Sequence, residues 1–216
     1  MTCVEGKRKQ LRSERFAYAA VVEGEATAYR RPGGAPIQSF GKLNVNGVPT
    51  VFGILEAVLD ARCEPAWYRV QLPIKPNGTT GYVRASDVWV GKVDTRIEVD
   101  LSERRVTLFR NGREVLATTV AIGTTATPTP VGRYYVNQRL IPDEKGGPFG
   151  PGAIGISAYS EVLTGWAQGG PIAIHGTNQP QTIGKAASNG CIRVENETLQ
   201  RMFDATLAGT PVLIRA

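Results

Sequence analysis

The chain has 216 residues, 42% of them hydrophobic, which suits one large or two small domains with real cores. No run approaches the ~18 apolar residues of a membrane span, and the first thirty residues lack a signal-peptide hydrophobic region. Twenty-five Lys and Arg against nineteen Asp and Glu give a net charge of +6, spread out with no nucleic-acid motif, which argues against nucleic acid; an acidic polymer fits as partner, and a merely solvated surface fits almost as well.

Residues 1–15 are polar and basic (Lys7, Arg8, Lys9, Arg12, Arg15) and are expected to form a flexible tail. Over residues 16–91 short apolar runs are broken by Gly, Pro and Asn. Tyr68, Val70 and Leu72 alternate, Pro76-Asn77-Gly78 marks a turn, and Gly81-Tyr82-Val83 restarts a strand. Val51–Leu59 fits a helical face as well as a strand; Gly53 and the preceding Pro49 favour the strand. Cys3 and Cys63 could pair in an oxidising compartment, but Cys3 sits in the expected tail, so free thiols are favoured.

Residues 91–94 read as a linker. Residues 96–101 then alternate cleanly, residues 106–109 follow, and Asn111-Gly112 between two strand-like runs signals a two-residue hairpin. Residues 115–122 and 133–136 extend a β-rich sheet. Residues 140–171 are glycine-rich with little periodicity; a loop of that length reads as a lid or substrate wall, with Tyr159 and Trp166 as lining. Gly150, Gly152 and Gly155 spell G-x-G-x-x-G, but no strand leads into them and no helix with a following acidic residue leads out. A dinucleotide site is therefore rejected.

The C-terminal stretch concentrates the chemistry. In Ile172-Ala173-Ile174-His175 a period of two puts the isoleucines on one face and leaves Ala173 and the only histidine on the other, projecting away from the core. After Cys191 the same alternation turns Ile192 and Val194 inward and leaves Cys191 and Arg193 together on the opposite face. Asn196-Glu197 reads as a helix cap, with a helix over 197–207 carrying Leu199, Met202, Phe203 and Leu207, ended by Gly209 and followed by a strand over 211–214. A thiol attacks only as thiolate, and a free pKa near ~8.5 calls for a neighbouring base or positive charge. His175 is the one imidazole available. Arg193 could depress the thiol pKa or hold a substrate carboxylate, and Gly190 would let backbone N–H groups near Cys191 form an oxyanion hole. A lone His and a lone Cys are often only structural, yet the polar Ser-Asn-Gly surroundings are unlike a buried core cysteine. One His and three scattered Cys make no metal-ligand cluster, so neither metal nor cofactor is expected.

His175-Gly176-Thr177, followed after a loop by Ser188-Asn189-Gly190-Cys191-Ile192-Arg193, resembles the signature of the L,D-transpeptidase (YkuD-type) catalytic domain family. That signature is a His, about fifteen residues, then Ser or Thr, usually His, Gly and Cys; here fifteen residues separate His175 and Cys191. Gly123-Thr124, the segment 127–132, the segment 150–155 and Gly209-Thr210-Pro211-Val212 extend the resemblance over residues 95–216. Asn189 stands where the family most often has a second histidine, for which a structural effect is expected. Residues 16–91 resemble a bacterial SH3-like domain, in Trp67-Tyr68-Arg69-Val70 and Gly81-Tyr82-Val83.

These resemblances imply a mainly β fold: an N-terminal SH3-like small barrel and a C-terminal L,D-transpeptidase-type β-sandwich with a short helix after the cysteine. They imply acyl transfer on peptidoglycan stem peptides outside the cytoplasmic membrane, with carbapenem-type β-lactams as inhibitors. Cys191 would attack the carbonyl of the third residue of a tetrapeptide, expel D-alanine, and pass the acyl group to an amine of another stem. His175 would be the base, the Gly176 carbonyl would orient its ring, Ser188 would brace the loop, and N–H groups from Asn189 through Gly190 to Cys191 would hold the oxyanion. Arg193, Thr177 and Tyr159 are expected to contact substrate. Two rivals are a cysteine hydrolase or carboxypeptidase on wall peptides, whose usual order is Cys before His, and a non-enzymatic wall-binding protein.

Overall fold

In the computed structural model, which describes residues 4–216, the alternating segments assemble into two eight-stranded sheets that follow one another along the chain. The first contains β1 (Arg8–Gln10), β2 (Ala17–Val22), β3 (Glu25–Tyr29), β4 (Pro36–Gly41), β5 (Val51–Leu59), β6 (Pro65–Gln71), β7 (Thr80–Arg84) and β8 (Val88–Val93). All its pairings are antiparallel, in the order β4-β3-β7-β6-β5-β2-β8, with β1 laid against β5. Thus part of the basic segment read as a tail is a strand. Arg8 reaches the buried Glu56 carboxylate at 3.1 Å, which gives that acid the partner its burial requires.

The second half contributes β9 (Thr95–Asp100), β10 (Arg105–Arg110), β11 (Arg113–Thr119), β12 (Ile122–Gly123), β13 (Gly132–Leu140), β14 (Ala153–Tyr159), β15 (Pro171–His175), β16 (Ala186–Ser188), β17 (Ile192–Arg193), helix α1 (Asn196–Ala205) and β18 (Pro211–Arg215). The second sheet runs β11-β10-β9-β18-β13-β14-β15-β17, and β12 pairs with β16 apart from it. The molecule is mainly β with one short α-helix among the described residues, as expected.

Four details differ from the sequence reading. Residues 91–93, read as linker, continue β8, so only Asp94 separates the sheets. The supposed loop over 140–171 contains β14, whose residues 153–158 are all buried; a strand covered on both faces shows no alternation to recognise. The same double burial explains why Val51–Leu59 was ambiguous. Asn196 opens α1 but caps nothing: its side chain accepts from the Thr177 N–H at 2.7 Å, across the fold. Cys63, for which a free thiol was favoured, is disulfide-bonded; Cys3 lies outside the described residues.

The two cores differ in make-up. The first packs Ala20, Ala26, Ala28 and Ala57 around Phe52, Ile54 and Leu72; the second is built from branched residues such as Ile97, Val136, Ile154, Ile174 and Ile192. The sheets meet along β5 and β13. The buried Tyr135 ring lies over Gly53, where a Cβ would come within 2.8 Å of the ring, and its hydroxyl donates to Val51 O at 3.0 Å. Gly209 faces Ala19 too closely for any side chain. Gln71 donates to Arg133 O at 2.8 Å, and the Asn77 amide exchanges two hydrogen bonds with the Tyr159 backbone.

Candidate active site

Strands β15 and β17 pair in parallel with Ile174 opposite Ile192 and His175 opposite Arg193. Both isoleucines are fully buried, so the alternation that turns them inward puts Ala173, His175, Cys191 and Arg193 on the other face of this strand pair. Register therefore brings the histidine and the cysteine to one surface. Cys191, the residue just before β17, is partly exposed, with its Sγ 4.0 Å from Pro171 O.

The turn presenting Cys191 is held from several directions. Gly190 has φ +110°, a conformation that leaves no comfortable alternative to glycine. Ser188 Oγ accepts from the Gly190 N–H at 3.1 Å and donates to Cys191 O at 2.5 Å, tying the two ends of the turn together. Thr129 Oγ1 accepts from Gly123 N–H and donates to Gly190 O, both at 2.9 Å, while Thr127 Oγ1 donates to Ser188 O at 3.0 Å. The sequence marked this threonine segment only by resemblance; its work is to hold the cysteine turn. Because the Gly190 N–H is occupied by Ser188, it is not available to an oxyanion. The N–H groups of Asn189 and Cys191 have no hydrogen-bond partner among the described residues.

His175 departs from the expected outward projection: it is 4% exposed, with Phe149 against its ring at 5.0 Å between centroids. The loop before β14 folds over it because Gly150, at φ +58°, passes Gly176 and Asn196 with no room for a side chain. Nδ1 lies 2.5 Å from Gly176 O, so Nδ1 carries the proton and donates, and Nε2 is left as the basic nitrogen. Burial pushes the ring's pKa down to about 4; the Gly176 carbonyl pulls it back in part, and the Arg193 charge lowers it further. Protein atoms around the thiol push the Cys191 pKa up, opposed by the Ala173 N–H and by Arg193. Burial thus acts on both groups against their charged forms.

The three expected substrate contacts fall differently. Thr177 is buried and spent on its own turn, its N–H on Asn196 and its Oγ1 accepting from Gln179 N–H at 2.9 Å. Arg193 Nη1 donates to Gln179 Oε1 at 3.1 Å, while its Nε is buried without a partner. Tyr159 Oη donates to Pro73 O at 2.6 Å, which makes this residue a tie between the sheets. Trp166 stays more than half exposed on the surface. Among the described residues no group of three or more His, Cys, Asp or Glu is placed to hold a metal ion. Gly152 leads directly into β14, which contains Gly155.

A buried imidazole oriented by a backbone carbonyl thus shares a strand-pair face with a cysteine on a glycine turn, the residue types that thiol chemistry calls for. The chain belongs to the YkuD family, the L,D-transpeptidase catalytic domain, whose profile matches residues 94–214. Over 119 residues it is 37% identical to the Bacillus subtilis protein YkuD, assigned as an L,D-transpeptidase, covering 55% of this chain and 64% of that protein. YqjB of the same organism, with the same assignment, is 33% identical over 105 residues, or 44% of this chain and 56% of YqjB. The chain thus spans less than two thirds of the length of these curated relatives. Among solved structures, it is similar to the catalytic domain of an Enterococcus faecium L,D-transpeptidase, at 26% identity and a TM-score of 0.42, over 56% of this chain and 97% of that one. No helix among the described residues is long and apolar enough to cross a membrane.

Proposed function

We propose that the chain is a peptidoglycan L,D-transpeptidase acting outside the cytoplasmic membrane, with residues 95–216 as catalytic domain and residues 16–91 as an SH3-like domain before it. The observation that carries the reading is the β15–β17 register, which sets Cys191 and His175 on one face within a family-matched segment.

His175 Nε2 takes the Cys191 proton as sulfur attacks the carbonyl of the third residue of a tetrapeptide stem. The N–H groups of Asn189 and Cys191 receive the oxyanion. Collapse breaks the bond to D-alanine, whose amine leaves with the proton from His175, and a thioester remains. An amine of a second stem then attacks, gives its proton to His175, and departs with the acyl group as a cross-link between third residues. The thiol recovers that proton. Arg193, fixed by Gln179, acts by its charge on the thiol.

Intact-protein mass spectrometry after adding a tetrapeptide stem or a carbapenem tests the reading. Wild type gains the mass of the acyl adduct and Cys191→Ala gains none. Folded, reduced wild type that stays unmodified by both compounds would overturn it. Adding an amine acceptor separates transfer from hydrolysis.

A further inference from the structure

Between the two sheets lies a cleft of about 510 Å³, a volume typical of small-ligand and short-peptide sites. One wall comes from the N-terminal sheet: the turn around Asn44 and Asn46, and the segment Pro73 to Lys75. The other comes from Gln138, Tyr159, Gln168 and Pro171 of the catalytic sheet. Pro171 belongs to both sites, since its carbonyl is the one 4.0 Å from the Cys191 sulfur. Pro171 is thus the one lining residue that also touches the thiol; Cys191 and His175 do not themselves line the cleft.

Its walls are apolar and amide-bearing, and Lys75 is the only charged residue among them. Lys75 is exposed, has no ion-pair partner among the described residues, and holds its Nζ 5.9 Å from the centre of the Tyr159 ring. No carboxylate lines the cleft to oppose an anion. One side is strapped shut by the Asn46 and Gln168 amides, where Gln168 Nε2 donates to Asn46 Oδ1 at 2.9 Å. Gln168 adopts φ +56°, unusual for its type, to reach that position.

We propose that this cleft is the subsite for the part of the acyl-donor stem that stays on the enzyme after D-alanine leaves, and that Lys75 binds a free carboxylate on that part. The N-terminal sheet then selects substrate instead of serving only as a spacer. A short peptide fits the space, apolar and amide walls suit its backbone and side chains, and the single cation supplies the charge partner. This inference rests on the transpeptidase reading above.

Three quantities test it, each in wild type, Lys75→Ala and Lys75→Glu: acylation of Cys191 by a tetrapeptide stem with that carboxylate free, acylation by the same peptide with it amidated, and alkylation by iodoacetamide. Lys75 makes no bond that folding depends on. The rate constant for the free-acid peptide, at concentrations below saturation, should fall about two- to fivefold in Lys75→Ala and further in Lys75→Glu. The amidated peptide should react equally with wild type and Lys75→Ala, and iodoacetamide equally with all three proteins. No loss with the free acid, or an equal loss with both peptides, overturns the proposal while leaving the transpeptidase reading intact. Wild type that reacts with iodoacetamide but with neither peptide nor a carbapenem overturns both.

Discussion

The cysteine turn and the cleft between the sheets are built on opposite principles. On the catalytic-sheet side, every group near the thiol is fixed: a buried imidazole on a carbonyl, a serine and two threonines on the turn, a glycine where nothing larger fits. On the side facing the N-terminal sheet the walls are side-chain amides and one free-standing lysine, around open space. Positioning a reacting atom tolerates little displacement, whereas holding a flexible peptide needs reach and exchangeable hydrogen bonds. Rigid backbone serves the first task and long polar side chains the second.

The largest effect that separates the two sides is expected from His175→Ala. Peptide acylation should fall by about 10²–10⁴-fold in single-turnover kinetics, since the proton acceptor is gone, with substrate affinity little changed. If affinity fell instead, the histidine would belong with the cleft.

Next comes acid stability. A histidine with a folded pKa of about 4, against 6.5 for the ordinary group, binds its proton first in the unfolded chain as pH falls. Its buried neutral form therefore contributes stability that is full above about pH 6.5 and is lost on the way down to about pH 4, roughly 3 kcal/mol in all. Urea unfolding across that window should show the slope in wild type and a shallower one in His175→Gln. Equal slopes would mean that the ring is not enclosed as described.

Asn196→Ala should be smaller. It strands the Thr177 N–H and loosens the turn that carries the Gly176 carbonyl, at a cost of about 1–3 kcal/mol in stability. Because that carbonyl orients the imidazole, acylation by both peptides and alkylation of Cys191 should slow together. A loss confined to one peptide would place Asn196 with selectivity.

The smallest effect belongs to Asn46→Ala, which opens the strap to Gln168. Being exposed, the strap should contribute under about 1 kcal/mol to stability. The variant should nevertheless change the apparent affinity for a stem peptide, with iodoacetamide reactivity untouched. A change in thiol reactivity would join the two sides that are here kept apart.

This contrast also governs what could be read from the sequence. Cys191, His175, Gly190 and Ser188 were legible because thiol chemistry demands those residue types within one short stretch, and alternation through Ile174 and Ile192 fixed their common face. The burial of His175 was not, because Phe149 covers it from a loop that carries no periodic signal. Asn196 looked like a cap because capping is what asparagine before a helix most often does; its true partner is nineteen residues away. Of the cleft only Tyr159 was read as lining; its amides meet across separations of 94 and 122 residues, and asparagine or glutamine on a loop announces nothing. Strand β14 was missed for the converse reason, its uniform burial erasing the pattern by which strands are recognised.

The contacts of Gly53 with Tyr135 and of Gly209 with Ala19 bear on how such a molecule can be inherited. Each sheet offers the other a missing side chain, so neither half can be exchanged alone: a front half with valine at position 53, or a rear half with alanine at position 209, meets a neighbour already standing there. Unrelated halves joined at Asp94 would have to leave the same two gaps to reproduce this contact. The two glycines act as sockets: each takes a neighbour's atoms where its own Cβ would stand, so a methyl at either position would push the sheets apart.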